Sequence, residues 1–161
     1  MKKFVSITIS DSRSENNEIP DLSGETLIKI LTQLNLDLFE KIIVADEKEE
    51  IHNAIEKFTT VDEVDLIVTT GGTGISDRDI TPEVTKKFIE KDIPGIPELI
   101  RASSFEKINT SVLYRGYCGL VKNKIILNLP GSPGGVKDGL ALFKKILPHM
   151  FEILDGKQGH W

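Results

Sequence analysis

An apolar run that ends in glycine sets the first constraint on this chain. Leu66-Ile67-Val68-Thr69-Thr70 leads into Gly71-Gly72-Thr73-Gly74, and the stretch closes on Asp79-Ile80-Thr81-Pro82-Glu83. Asp65 to Thr69 reads as a strand with an unbroken apolar centre, typical of one covered on both faces, as in parallel sheets flanked by helices. Pro82 suits the first turn of a helix, with Thr81 as its cap. The segment VTTGGTGISDRDITPE therefore reads as strand, loop and helix start. Ligands of open α/β sheets bind at the carboxyl ends of the strands. Glycines there let a ligand approach backbone N–H groups, and a helix start points its positive dipole end the same way. A turn that needs glycine only for its shape, with Arg78 paired to Asp77 or Asp79 on the surface, would explain the same residues.

The rest of the chain fits that frame. Lys3 to Ile9 reads as a buried strand, followed by a polar loop from Ser10 to Pro20. Asp21 or Ser23 can cap a helix that carries Leu27, Ile28, Leu31 and Leu34 on one face. Lys41 to Ala45 is a short β-branched strand. Ile51, Ala54, Ile55 and Phe58 fall at helical spacing. Thr81 and Pro82 begin a helix with Val84, Phe88 and Ile89 on its apolar face. Pro94-Gly95-Ile96-Pro97 breaks the chain before a short helix from Glu98. Val112 to Val121 and Lys124 to Leu129 read as paired strands about Lys122-Asn123-Lys124. Ser132 and Pro133 start a final helix through Leu154, kinked at Pro148. Strands alternating with helices predict an α/β fold with a mostly parallel sheet covered on both faces. The late hairpin makes that sheet mixed.

Composition narrows the function. A chain of 161 residues suits one domain, 1–161. The net charge of −5 argues against a broad nucleic-acid surface. No apolar run approaches the ~20 residues that cross a bilayer. The stretch after Met1-Lys2-Lys3 is a poor signal core, so the expected location is cytoplasmic. A single cysteine, Cys118, excludes an internal disulfide and a cysteine-based metal cluster. It reads as a small buried residue rather than a nucleophile. His52, His149 and His160 lack metal-ligand spacing, and Trp161 is terminal.

The glycine loop is not a Walker A loop, because no Gly-Lys-Ser/Thr follows. Nor is it the dinucleotide fingerprint, since Asp77 stands at the third glycine position. A second turn between strand and helix, Leu129-Pro130-Gly131-Ser132-Pro133-Gly134-Gly135, repeats the glycine-rich pattern. Two such loops in one small α/β chain favour a site for a ligand with phosphate groups and a cation.

TTGGTGISDRDITPE resembles the signature of the molybdopterin-binding proteins of molybdenum-cofactor biosynthesis, which include the molybdopterin adenylyltransferases. The resemblance runs along the chain in order. It takes in Ile7 to Arg13, Asp21-Leu22-Ser23-Gly24, Val44-Ala45-Asp46-Glu47, Pro94 to Arg101, and Leu127 to Pro133. It implies a three-layer α/β/α sandwich, usually a homotrimer. The implied ligands are molybdopterin, ATP and Mg²⁺. The implied reaction moves AMP from ATP to the terminal phosphate of molybdopterin, giving adenylylated molybdopterin and pyrophosphate. The product then passes to a molybdate-insertion enzyme. The alternative is a molybdopterin-binding or scaffolding module of the same fold without turnover.

That chemistry suits a few residue types. A phosphate monoester is largely dianionic at neutral pH and needs no strong general base to attack. Backbone N–H donors and a metal must bring two anions together and take up charge on the leaving pyrophosphate. Mg²⁺ is typically bound by one or two carboxylates plus phosphate oxygens and water. The family's two important acidic residues fall on Asp46 and Asp79, the expected catalytic and metal-holding pair. Taken without the resemblance, Asp46 with Glu49 reads as a helix cap and its reciprocal partner. Gly71, Gly72, Thr73 and Gly74 would line the phosphate site. Ser10, Asp11, Arg115, Asn128, Pro130, Gly131 and Ser132 would border it, with Ser132 equally readable as a helix cap. Arg78 reads as a surface or anion-facing charge. The chain departs from the family at Tyr114, where serine is common, at Gly116, where alanine is common, and at Pro97, where glycine is usual. A tyrosine ring at 114 can stack on a planar pterin, but the serine hydroxyl is gone.

Overall fold

The computed structural model describes residues 1–157. His160 and Trp161 lie outside the described residues. Strand β1 (Lys3–Ile9) is followed by a short helix α1 (Asp11–Glu15) and then α2 (Leu22–Gln33). β2 (Asp37–Val44), α3 (Lys48–Thr59) and β3 (Leu66–Thr70) come next. After the glycine loop come α4 (Thr81–Lys86), β4 (Lys91–Asp92) and α5 (Gly95–Ser104). A 3₁₀ turn spans Asn109–Leu113, before β5 (Cys118–Val121) and β6 (Lys124–Leu129). Helices α6 (Pro133–Phe143) and α7 (Leu147–Leu154) complete the order.

The six strands form one sheet in the order β2-β1-β3-β6-β5-β4. The pairs β1–β2, β1–β3 and β3–β6 are parallel, while β5 and β4 add antiparallel edges. Alternating side chains feed two cores. Phe4, Leu66, Val68, Ile125, Leu127 and Leu129 pack with α2, α5, α6 and α7 residues such as Leu31, Ile100, Leu140 and Phe151. Val5, Ile7, Ile9, Ile67 and Ile126 pack with Ile51, Ile55, Phe58 and Val84 of α3 and α4. This is the α/β/α layering expected of strands that are apolar on both faces. The chain leaves β1 toward β2 on one side and returns to β3 on the other. Strand order thus reverses at the carboxyl ends of β1 and β3, the usual place for a ligand crevice.

Several elements differ from the sequence reading. Asp21, not Ser23, caps α2, its carboxylate accepting from the Gly24 amide at 3.0 Å. The loop after β1 contains α1, capped by Ser10. Helix α5 begins at Gly95, because Pro97 falls in its first turn, where a proline lacks no needed N–H. Helix α4 ends at Lys86, leaving Phe88 and Ile89 in the turn beyond it. Val112 to Tyr117 is not strand: the 3₁₀ turn ends there and Tyr114 turns into the core. Pro148 does not kink one long helix; it lies in the first turn of a separate one. Cys118 is buried and its thiol is pushed up to about 12 by desolvation, so it carries no thiolate at neutral pH.

Candidate active site

The loop after β3 is held in place by its own backbone. The Gly71 amide donates to the Leu129 carbonyl at 3.2 Å, and the Thr81 amide to the Gly72 carbonyl at 3.1 Å. The Thr81 hydroxyl donates to the Gly71 carbonyl at 3.0 Å rather than capping α4. Gly71 and Gly72 have φ of +102° and +63°, a left-handed region that disfavours side chains. A Cβ on Gly72 would come within 2.4 Å of the Thr81 hydroxyl and 3.0 Å of the Asp46 carboxylate. A Cβ on Gly74 would come within 2.8 Å of the Asp79 carboxylate. Each acidic residue therefore lies directly against a glycine of the loop. Among the described residues, the amides of Gly72, Thr73 and Gly74 donate to no acceptor.

Asp46 follows the end of β2 and is tied to the first residue of α1. Its carboxylate accepts from the Asp11 amide at 3.0 Å, and the Asp11 carboxylate accepts from the Asp46 amide at 2.9 Å. It caps no helix: Glu47 stands at the N-cap of α3 without a capping side-chain bond, and Glu50 instead accepts from the Ala45 amide. Burial raises the Asp46 pKa above its ordinary value, and the Asp11 and Asp79 charges push the same way. The Asp11 amide and Arg78 offset part of that rise. The Asp79 charge thus reaches Asp46 across the loop. Asp79 itself accepts from the Ser76 amide at 2.9 Å.

A cleft of about 360 Å³ opens beside the loop, with Gly72, Thr73, Gly74 and Asp79 on one side and Pro130, Gly131 and Ser132 on the other. Its far wall is Ile100, Ser104, Ile108, Thr110, Ser111 and Leu113, from α5 and the 3₁₀ turn. These wall residues escaped the sequence reading, which gave the segment a short helix from Glu98 and a strand from Val112 but no part in a site. Ser132 accepts from the Gly135 amide at 3.0 Å and caps α6 while also facing the cleft.

The other expected residues stand around this centre. Ser10 caps α1 and lies beside Asp11, whose carboxylate is held low chiefly by Arg78. Arg115 donates to the carbonyls of Gly74 at 2.7 Å and Asp79 at 2.8 Å, and pairs with Glu83. It braces the loop from outside the cleft lining. Asn128 is fully buried: its amide donates to Thr69 and Thr85, and its carbonyl accepts from the Tyr117 amide. Its side chain ties β6 to β3 and α4 just beneath the loop. Tyr114 is 6% exposed and donates to the Asn128 main-chain carbonyl. Its ring is therefore a packed wall of the cleft, not a free stacking surface. A Cβ on Gly116 would meet that ring at 2.4 Å, so Tyr114 and Gly116 form one steric unit. The two departures noted in the sequence thus explain each other.

An α/β/α protein with a mostly parallel sheet, and with Asp46, Asp79 and open backbone amides at its switch point, has an architecture of the class in which phosphate-bearing ligands are commonly bound. Within that class, residues 6–149 match the family described as "Probable molybdopterin binding domain". The chain belongs to that family. It is 35% identical to the molybdopterin adenylyltransferase of Helicobacter pylori, over 94% of this chain and 88% of that protein. It is 38% identical to the molybdenum cofactor biosynthesis protein B of Staphylococcus aureus, over 94% of this chain and 89% of that one. Among solved structures it superposes on the molybdopterin biosynthesis enzyme MoaB of Thermus thermophilus with a TM-score of 0.89. That match is 32% identical and covers 98% of both chains.

Proposed function

We propose that this protein adenylylates molybdopterin. The terminal phosphate oxygen of molybdopterin attacks the α-phosphorus of ATP, forming a P–O bond as the bond to pyrophosphate breaks. The observation that carries the reading is the placement of Asp46 and Asp79 against Gly72 and Gly74, beside amides with no acceptor among the described residues. Relatives named as molybdopterin adenylyltransferases support it. The free amides would hold phosphate oxygens, and the cleft between the two glycine loops would take the pterin and its chain. Asp46 and Asp79 would hold Mg²⁺, two carboxylates being the number that leaves room for phosphates and water. The bound ion would supply charge neutralisation between the reacting anions and on the leaving pyrophosphate. Arg115 and Asn128 keep the loop in shape from behind.

Incubation with molybdopterin, ATP and Mg²⁺ should release pyrophosphate. Asp46→Asn and Asp79→Asn should each lower that release by at least about a hundredfold, the scale of losing one preorganised charge contact. Pterin binding should stay mostly intact. Near-normal turnover in either variant would sink the assignment, and pterin binding without pyrophosphate in the wild type would select a non-catalytic binding module. The reading extends to a cytoplasmic, single-domain homotrimer over residues 1–161 that hands its product to a molybdate-insertion enzyme. Leu99, Phe105, Ile108, Val112 and Leu113 are exposed apolar residues along α5 and the turn after it, as a self-association face requires. A solution mass of one chain would remove the trimer.

A further inference from the structure

Arg78 stands one residue before Asp79, yet its side chain belongs to the other half of the site. Its Nε and Nη2 hold both oxygens of Asp11 at 2.8 to 3.1 Å, and Nη2 also donates to Glu47 at 2.8 Å. Exposed ion pairs contribute little to stability. With 53% of its side chain exposed, Arg78 matters here for the segments it joins rather than for any burial of its own. Its partner Asp11 is the residue that exchanges amide–carboxylate bonds with Asp46. One guanidinium therefore straps the loop that carries Asp79 to the segment that carries Asp46. A planar fork can do this at two points of one carboxylate and still reach a second. It also pairs with both outer acids, Asp11 and Glu47, and so offsets part of their charge beside the inner pair, Asp46 and Asp79.

We infer that Arg78 is the positioning residue of this pair. Acting through Asp11, it fixes Asp46 opposite Asp79 so that the two receive a metal–nucleotide as a preformed site. Arg78 touches no reacting atom. The nucleotide part rests on the adenylyl-transfer reading; the backbone part does not.

Two measurements on Arg78→Gln and Arg78→Lys separate these parts. The first is hydrogen exchange of the Asp11 and Asp46 amides in the ligand-free protein. The Ser10 amide, bonded to the Val44 carbonyl at 2.9 Å, serves as the internal reference. The second is affinity for Mn²⁺ with a non-hydrolysable ATP analogue. In Arg78→Gln the two aspartate amides should exchange about tenfold faster while Ser10 is unchanged. Metal–nucleotide affinity should fall by about 10- to 100-fold, the usual loss when the support of a metal-holding carboxylate is removed. Lysine should restore neither fully, since one ammonium cannot span Asp11 and Glu47. Exchange and affinity both within about twofold of wild type in Arg78→Gln overturn the inference. Full restoration by lysine also overturns it, because charge alone would then suffice. If the wild type binds no nucleotide but Arg78→Gln still frees the two amides, the adenylyl-transfer reading fails and the strap stands.

Discussion

The loops after β3 and β6 look alike in sequence and differ in what their glycines are for. Both join a strand end to a helix, and β3 and β6 are neighbours in the sheet. In the first loop Gly71 and Gly72 adopt left-handed backbone, and Gly72 and Gly74 each have a carboxylate where a side chain would start. None of the second loop's glycines has a positive φ. There Gly131 faces the Gly71 backbone, Gly135 lies against Pro130 and the Ser132 hydroxyl, and Gly134 faces open space. The first helix, α4, starts without a side-chain cap; the second, α6, has Ser132. Glycine number therefore does not distinguish the two loops. What does is an acidic side chain packed where a Cβ would stand.

The largest effect that would test this contrast is Gly72→Ala. Left-handed backbone alone costs about 1–2 kcal/mol for an L side chain. The new methyl would also displace Thr81 or Asp46, and misplacement on the scale of an ångström lowers rates by about a hundredfold. We expect lost pyrophosphate release and a lower urea midpoint. Wild-type turnover in this variant would mean that Asp46 does not need its position against the loop.

The second loop should respond through its helix instead. Replacing Ser132 by alanine removes the cap of α6 and should cost about 1 kcal/mol. In a chain of this size that is a fall in Tm of about 2–4 °C. Ser132→Gly should lose only a few tenths of a kcal/mol. Equal losses for alanine and glycine in thermal melts would show that the hydroxyl contributes something other than a cap.

The layers and the strand ends are legible in local patterns of the sequence. Asp65 to Thr69 reads as a doubly covered strand, one residue earlier at each end than the strand observed, and Ile51 to Phe58 as an amphipathic helix, because each pattern reports burial directly. The family resemblance locates Asp46 and Asp79, but it does not supply their supports. Asp11 meets Asp46 across 35 residues and Arg78 across 67, through side-chain geometry that has no sequence period. The helix cap expected at Asp46 is a sound local alternative, and the reciprocal bond with Asp11 displaces it. Likewise Val112 to Tyr117 carries strand propensity, yet Tyr114 gains more by turning its hydroxyl to the buried Asn128 carbonyl. The cleft wall of Ser104, Thr110 and Ser111 carries no motif or period of its own, so nothing in the pattern marks it. Asn128 reads as a ligand contact until its three internal hydrogen bonds are seen.

The smallest effect is a gain, and it divides the second loop against itself. Gly134 lies in the first turn of α6 with nothing within 4 Å of an added Cβ. Alanine there should stabilise the protein by about 0.4–1 kcal/mol, mainly by restricting the unfolded chain. Its neighbour Gly135 should behave oppositely, because a Cβ would meet Pro130 at 2.6 Å and the capping hydroxyl of Ser132 at 3.0 Å. Urea melts of Gly134→Ala and Gly135→Ala read this difference directly. Opposite signs would show that glycine in this loop answers to local space, residue by residue. A loss in both would mean that the turn needs glycine backbone freedom, as the first loop does, and the contrast between the loops would then rest on their carboxylates alone.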